Sequence, residues 1–277
     1  MIQNLAIGRT IDAAGHRTNY HDVGNGKPLL MLHGSGPGVS AWSNWAAFWP
    51  RFTSDYRVIA PDIAGFGFTE MHEGTVYDIK LWVRHLLAIM DALEIERAPM
   101  LGNSFGGALA LATALHAPER VERLILLGTP CGEFTMSEGL RAGWLYEPSV
   151  ENMTELMRLF PYDPSIVTPE LVQSRYETSA RPGAQEAFRK LVPKPSEDGS
   201  PTPVRGLPVK ALATLPHRAL IVHGREDRVV PVDLAIQSHR ALLNSDLHLF
   251  GKCGHWVQVE RGDALATLMH DFLAGPA

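Results

Sequence analysis

Leu101-Gly102-Asn103-Ser104-Phe105-Gly106-Gly107 lies between an apolar run, Ala98-Pro99-Met100-Leu101, and a helix-forming run from Ala108 to His116. The order is strand, very tight turn, helix. Its core is Gly-x-Ser-x-Gly, the pattern of a nucleophile elbow, in which a strained turn holds the serine hydroxyl clear of the backbone. The glycines fit that geometry. Side chains at 102 and 106 would collide where strand and helix nearly touch, and glycine accepts such backbone freely. Gly107 and Ala108 would let the helix pack close to the sheet. A plain Gly/Ser turn is the competing reading, and the strand before and helix after argue against it.

The surrounding chain alternates short apolar runs with helical ones. Residues 5–11 and 16–23 read as a hairpin with its turn near Gly15, followed by Gly24-Asn25-Gly26. Pro28 to His33 and Arg57 to Ala60 read as buried strands. An aromatic-rich helix is expected over 41–52. Tyr77 to Leu93 has helical spacing, with Leu81, Val83, Leu86, Leu87, Met90 and Leu93 on one face. Val121 to Leu127 is a further strand. From Gly132 to about Arg205 strand runs vanish, and helical fragments (154–160, 169–180, 183–192) stand between prolines. Then alternation resumes, with helix near 207–215, strand 217–223, helix 232–242, strand 247–250 and helix 263–274. Such alternation implies an α/β fold, a mostly parallel sheet with helices on both faces. Residues 1–131 and 206–277 form its core, and 132–205 an inserted helical lid.

Composition narrows the function. The 277 residues are 45% hydrophobic and 20% charged, so they suit a large globular core. Net charge is −5 with no basic tract, which disfavours nucleic acid. Two cysteines, Cys131 and Cys253, form no metal or disulfide pattern and suit a reducing cytoplasm. No long apolar segment suggests a signal peptide or a membrane span. The twelve histidines show no metal-binding spacing, so no metal is expected.

A serine nucleophile needs a base, and the base needs an orienting acid. With this elbow their chain order is Ser, Asp or Glu, then His. Asp227 follows strand 217–223 in Gly224-Arg225-Glu226-Asp227, and His255 follows strand 247–250 in Gly254-His255-Trp256. Catalytic groups in open parallel sheets gather at the C-terminal strand ends. Three such ends would deliver Ser104, Asp227 and His255 to one edge. Glu226 is the alternative acid, and His223, inside a strand, reads as structural. The oxyanion needs two N–H donors. Phe105 supplies one, and the loop after strand 28–33 the other, assigned to Ser35. A nucleotide-loop reading of Gly34-x-Gly36 fails, because the third glycine and the Lys-Ser/Thr are missing.

The motifs HGSGPG (33–38), WSNW (42–45), PDIAGFG (61–67), GNSFGG (102–107), HGREDRVVP (223–231) and GHWVQVE (254–260) resemble an α/β-hydrolase over nearly the whole chain. More closely, they are similar to the meta-cleavage product hydrolases of bacterial aromatic degradation. The resemblance implies an eight-stranded sheet, no cofactor, and a cytoplasmic homo-oligomer, dimer or larger. It implies hydrolysis of the C5–C6 bond of 2-hydroxy-6-oxohexa-2,4-dienoates to 2-hydroxypenta-2,4-dienoate and a carboxylic acid. It also implies a substrate site. Gly34 and Gly36 line it, Asn44 and Asn103 meet the oxygenated end, Trp256 packs beside it, and Arg175 pairs with the carboxylate. Guanidinium binds carboxylate in a two-pronged geometry that lysine cannot copy. Ser35 departs from several relatives, which carry glycine there. Phe105 resembles members acting on products with small C6 groups. The resemblance further implies that the dienol is ketonised before cleavage, with His255 carrying the proton. A carboxylester hydrolase is the alternative enzyme, and a non-catalytic ligand-binding protein the alternative from another class. Dehalogenases and epoxide hydrolases of this fold use Asp where this chain has Ser104.

Overall fold

The computed structural model describes residues 5–191 and 202–275. Eight strands form one sheet: β1 (Arg9–Ala13), β2 (His16–Val23), β3 (Lys27–Leu32), β4 (Tyr56–Pro61), β5 (Ala98–Asn103), β6 (Val121–Leu127), β9 (Ala219–Gly224) and β10 (Ser245–Phe250). Two short strands, β7 (Glu133–Thr135) and β8 (Pro203–Arg205), pair separately. The large sheet runs in the order β1-β2-β4-β3-β5-β6-β9-β10. β1 and β2 are antiparallel to their neighbours, and every later pairing is parallel. The first hairpin is tighter than its sequence suggests. Ala13 pairs with His16, leaving only Ala14 and Gly15 as the turn, both at positive φ (48° and 84°). That is the two-residue geometry whose twist matches the flanking strands, and it places β1 at residues 9–13 rather than 5–11.

Successive strand residues face opposite sides, so one sheet builds two cores. Leu30, Leu32, Met100, Leu124 and Leu126 pack toward helices Ile79–Ala92 and Phe105–His116. Leu29, Met31, Leu101, Ile125 and Leu127 pack toward Trp45, Phe48 and helix Gly262–Ala274. The elbow strand β5 is buried at every residue, as a central parallel strand should be. The helix expected over 41–52 is broken. Ala41–Trp45 is α-helical, and Trp49–Arg51 is a separate 3₁₀ turn with Pro50 inside it. Proline has no N–H to continue the helical ladder.

Between β6 and β9 lie helices Glu138–Trp144, Val150–Met157, Pro169–Ser179 and Ala184–Leu191. The first was not expected. The β7–β8 ribbon also corrects the reading of this stretch as free of strands. It joins the two ends of the insert, as Glu133 pairs with Arg205 and Thr135 with Pro203. The expected fragment 183–192 is helical through Leu191, and Val192 lies outside the described residues. The insert is held to the core by its own apolar cluster. Tyr146, Met153, Met157 and Phe160 pack with Val229, Val230 and Trp256 from the loops after β9 and β10.

Candidate active site

Ser104 has φ 52° and ψ −115°, a conformation that L-residues other than glycine rarely hold. Such a residue costs on the order of 1–3 kcal/mol and persists only where its surroundings dictate it. Three contacts do so here. A side chain on Gly102 would strike the Gly106–Gly107 peptide, and one on Gly106 would strike the Leu32 carbonyl. The Ser104 N–H is tied to the Leu127 carbonyl at 2.7 Å. The turn therefore stands at the C-terminal edge of the sheet and opens directly into helix Phe105–His116.

Asp227 and His255 meet across two adjacent parallel strands. β9 and β10 run in register from Ala219/Ser245 to Gly224/Phe250, so the loops that follow begin side by side. His255 Nδ1 lies 2.7 Å from Asp227 Oδ2. The other carboxylate oxygen accepts the N–H groups of Val229 (2.7 Å) and Val230 (2.9 Å). Burial alone would raise the Asp227 carboxyl. His255 and His223 more than offset this and hold it below the ordinary carboxylate range. Glu226 is engaged elsewhere, by Arg225 (2.8 and 2.6 Å) and the Cys253 N–H (3.1 Å). The His255 ring rests against Gly128, the residue after β6. A Cβ there would sit 3.0 Å from His255 Nδ1, and Gly128 has φ 53°. Leu127, one residue earlier, is the Ser104 anchor, so the elbow and the histidine share one short piece of chain.

Ser35, Ser104 and Phe105 line a single cavity of about 260 Å³. Its walls include Trp82, Trp144, Phe134 and Val230. Phe105 is fixed by an edge-to-face contact with Trp82 (4.7 Å) and by Phe66 (5.5 Å). The loop carrying Ser35 is anchored by His33. This buried ring donates Nδ1–H to the Gly34 carbonyl (2.7 Å) and accepts the Ile63 N–H at Nε2 (3.0 Å). Desolvation lowers it to about 4, so it stays neutral as both bonds require.

The polar residues expected to hold substrate crowd the same loop. Asn44 Oδ1 accepts the Gly34 N–H at 3.3 Å, and its buried Nδ2 has no partner among the described residues. Helix Ala41–Trp45, which carries Asn44, is seated by Asp62. That buried carboxylate accepts Ala41 N–H (2.6 Å), Phe68 N–H (2.7 Å) and Asn19 Nδ2 (2.8 Å). A side chain on Gly34 would come within 3.2 Å of Asn103 Oδ1 and 3.6 Å of Ser104 Cβ. One on Gly36 would come within 3.3 Å of the Arg175 guanidinium. Arg175 is 5% exposed, and its guanidinium donates to the Pro37 carbonyl at 3.1 and 3.3 Å. Among the described residues no carboxylate pairs with it, and desolvation lowers it to about 10. A cation so placed has binding capacity to spare. Trp256 packs on Phe160 of the insert, stacked at 5.2 Å and 16°.

Two features escape a reading of the motifs. His223 is not confined to the strand interior, because its Nε2 lies 3.1 Å from Asp227 Oδ2. Glu260 ties the histidine loop to the insert. One oxygen accepts Gly254 N–H (2.8 Å) and the other Tyr162 N–H (2.8 Å), while His255 N–H donates to Phe160 O (2.6 Å). The HGREDRVVP and GHWVQVE motifs contain both residues, but the first contact depends on the loop folding back on its own strand and the second reaches Tyr162 in the insert.

A serine elbow, a buried Asp–His pair that shares the Leu127–Gly128 segment with it, and a cavity between core and insert define the class. The chain matches the alpha/beta hydrolase family over residues 29–268 and belongs to it. Within that family it belongs with the meta-cleavage product hydrolases. It is 47% identical to a 2-hydroxy-6-oxo-2,4-heptadienoate hydrolase of Pseudomonas putida, over 98% of each chain. It is 46% identical to a 2-hydroxymuconate semialdehyde hydrolase of a Pseudomonas species, over 97% of this chain and 94% of that one. A solved meta-cleavage product hydrolase from Pseudomonas fluorescens superposes with a TM-score of 0.92 at 48% identity, over 98% of each chain. No helix among the described residues is long and apolar enough to cross a membrane.

Proposed function

We propose that this protein hydrolyses the C5–C6 carbon–carbon bond of 2-hydroxy-6-oxohexa-2,4-dienoates with hydrogen or a short alkyl group at C6. The products are 2-hydroxypenta-2,4-dienoate and a carboxylic acid, within bacterial degradation of aromatic compounds. The observation that carries the reading is Arg175, a buried guanidinium whose only acceptor among the described residues is a backbone carbonyl, set against the glycine loop that carries Ser35. A simple ester needs no such cation, whereas a dienoate carboxylate does. The names of the similar hydrolases point the same way.

In this reading Asn44, with its free Nδ2, and Asn103 hold the oxygenated end of the dienoate, and Gly34, Gly36 and Trp256 shape its seat. Carbon leaves poorly unless it is electron-poor, so the bound dienol is first ketonised, with His255 as the proton carrier. Ser104 Oγ then attacks the C6 carbonyl as His255 takes its proton. Asp227 holds the imidazole and balances the charge that develops. The N–H groups of Phe105 and Ser35 receive the oxyanion. C5 gains its hydrogen in the ketonisation; when the C5–C6 bond breaks, its electron pair becomes the C4–C5 double bond and the charge shifts through the chain to the C2 oxygen, which takes the proton from His255 and restores the enol. Water, deprotonated by His255, then clears the acyl group from Ser104. Anchoring the carboxylate far from C6 puts binding energy into orientation.

The cavity against Phe105, Trp82 and Trp144 receives the C6 substituent. Coloured dienones with hydrogen, methyl, isopropyl and phenyl at C6 test the reading directly. The first two should turn over fastest. Turnover of p-nitrophenyl esters with no cleavage of any dienone would leave the carboxylester hydrolase in its place. The reading includes a cytoplasmic setting, consistent with two free, buried cysteines. It also includes a homo-oligomer, dimer or larger, as the family resemblance implies, which sedimentation would check.

A further inference from the structure

His223 lies in β9 with its side chain fully buried, four residues before Asp227. Its Nε2 is 2.9 Å from the Val230 carbonyl and 3.1 Å from Asp227 Oδ2. A carbonyl can only accept, so the Val230 contact places the ring proton on Nε2. The same nitrogen lies 3.1 Å from the carboxylate oxygen that also meets His255 Nδ1, so its one proton is shared between the Val230 carbonyl and Asp227 Oδ2. The other ring nitrogen, Nδ1, is buried with no partner among the described residues. A proton there would be an unpaired buried donor, which is costly.

From these contacts we propose that His223 is a positioning residue for the Asp227–His255 pair. Its Nε2–H fixes the rotation of the carboxylate, so that Oδ2 faces His255, and withdraws part of its charge from the imidazole. The inference rests on the reading of Asp227 and His255 as acid and base. Val229 and Val230 N–H groups saturate Oδ1, leaving Oδ2 to the two histidines. A second donor on Oδ2 takes up part of that oxygen's hydrogen-bonding capacity and so weakens its hold on the His255 ring.

The other groups facing the pair do not substitute for this donor. The insert presents the Phe160 ring, 6.1 Å from His255. Gly128 contributes only backbone. From the His255 loop, burial pushes the Cys253 thiol up to about 12, and Glu260 is engaged by Gly254 and Tyr162 N–H. Glu226 is paired with Arg225. Ser104 is the group that the base serves.

The experiment compares His223→Leu, which removes the donor, with His223→Gln, whose amide places an N–H near the Nε2 position. The readout is the acid limb of kcat/KM against pH. In His223→Leu the limb should move up by about half a unit to one unit, the scale of one lost hydrogen bond. Activity at neutral pH should fall about twofold to tenfold. His223→Gln should return the limb to its original place. A limb unmoved in His223→Leu, or moved equally in both variants, overturns the proposal and leaves His223 as core packing. Should the leucine variant not fold, ¹⁵N spectra of the unsubstituted protein decide, since a proton found on Nδ1 of His223 overturns it equally. Asp227→Asn separates this inference from the reading beneath it. Near-normal turnover there removes the triad itself, whereas a severe loss there beside an unmoved limb in His223→Leu removes only the role of His223.

Discussion

Replacing Arg175 with glutamine should separate activity from stability. The guanidinium is desolvated, and its protein hydrogen bonds go to one backbone carbonyl. A carboxylate arriving there forms a charge-assisted, two-pronged pair in a site with little water. Truncating one partner of such a pair costs about 2–5 kcal/mol. At 1.4 kcal/mol per decade, that is roughly 30-fold to several thousand-fold in kcat/KM. The loss should fall on a carboxylated dienone, followed by its absorbance. Hydrolysis of p-nitrophenyl acetate, which has no carboxylate, should change little. Stability should follow the opposite logic. A buried cation without an acid is a burden on the unliganded fold, and replacing buried charges by neutral groups of similar volume is often neutral or stabilising. Arg175→Gln and Arg175→Met should therefore melt within a few degrees of the parent or above it. Equal losses on both substrates, accompanied by a lower Tm, would mean that Arg175 holds the insert in place and would refute its role toward substrate.

Ser104→Ala should retain substrate binding and lose roughly 10⁴-fold or more in turnover, and near-normal turnover of the purified variant would remove the elbow from the mechanism. In stopped-flow spectra the same variant should still ketonise the dienol, whereas His255→Ala should fail at ketonisation and cleavage alike, because one imidazole serves both. Gly128→Ala puts a methyl 3.0 Å from His255 Nδ1 at a backbone φ of 53°, so kcat should fall about tenfold to a hundredfold, the scale of a displaced catalytic group; unchanged kcat would show that the ring has room to move. The Asp227 carboxyl is held below its unfolded value by the two histidines, so its contribution to stability is present above the ordinary carboxylate range and is lost as pH falls. Melting temperatures from pH 6 to pH 3 should thus fall more steeply in the parent than in Asp227→Asn, and parallel curves would count against that linkage.

The elbow was legible because its constraint is local. Gly102, Gly106 and Gly107 stand where backbone meets backbone or a neighbouring side chain, and only glycine fits. Asp227 and His255 were legible through order and placement, since parallel strands in register deliver their following loops to one edge. Other features had no local mark. Three-residue strands such as β7 and β8 are too short to show a period, and their pairing joins residues about seventy positions apart. Pro50 is the local mark of the break in the 41–52 run, and the aromatic residues on both sides of it read as one continuous helix. His223 alternates with its strand neighbours as any core residue would, and its contact with Asp227 depends on how the next loop turns back.

Arg175 shows the same limit from the other side. Helix Pro169–Ser179 is polar along its length, with buried positions that include Val172, Arg175, Thr178 and Ser179. Val172 and Arg175 stand three apart on one face, so burying the valine carries the arginine inward with it, where composition alone would leave an arginine in water. Gly38 admits this approach, because a Cβ there would strike the Arg175 carbonyl, and Tyr146 Oη closes the far end on Ser179 at 2.8 Å. Seating a guanidinium this way opposes folding, since among the described residues its desolvation is offset by hydrogen bonds to one carbonyl and by no carboxylate. The opposition can be balanced in the working enzyme by an anion that arrives later. On that argument a carboxylated substrate or product should raise the melting temperature of the parent and fail to raise that of Arg175→Met, as binding to the folded state alone requires.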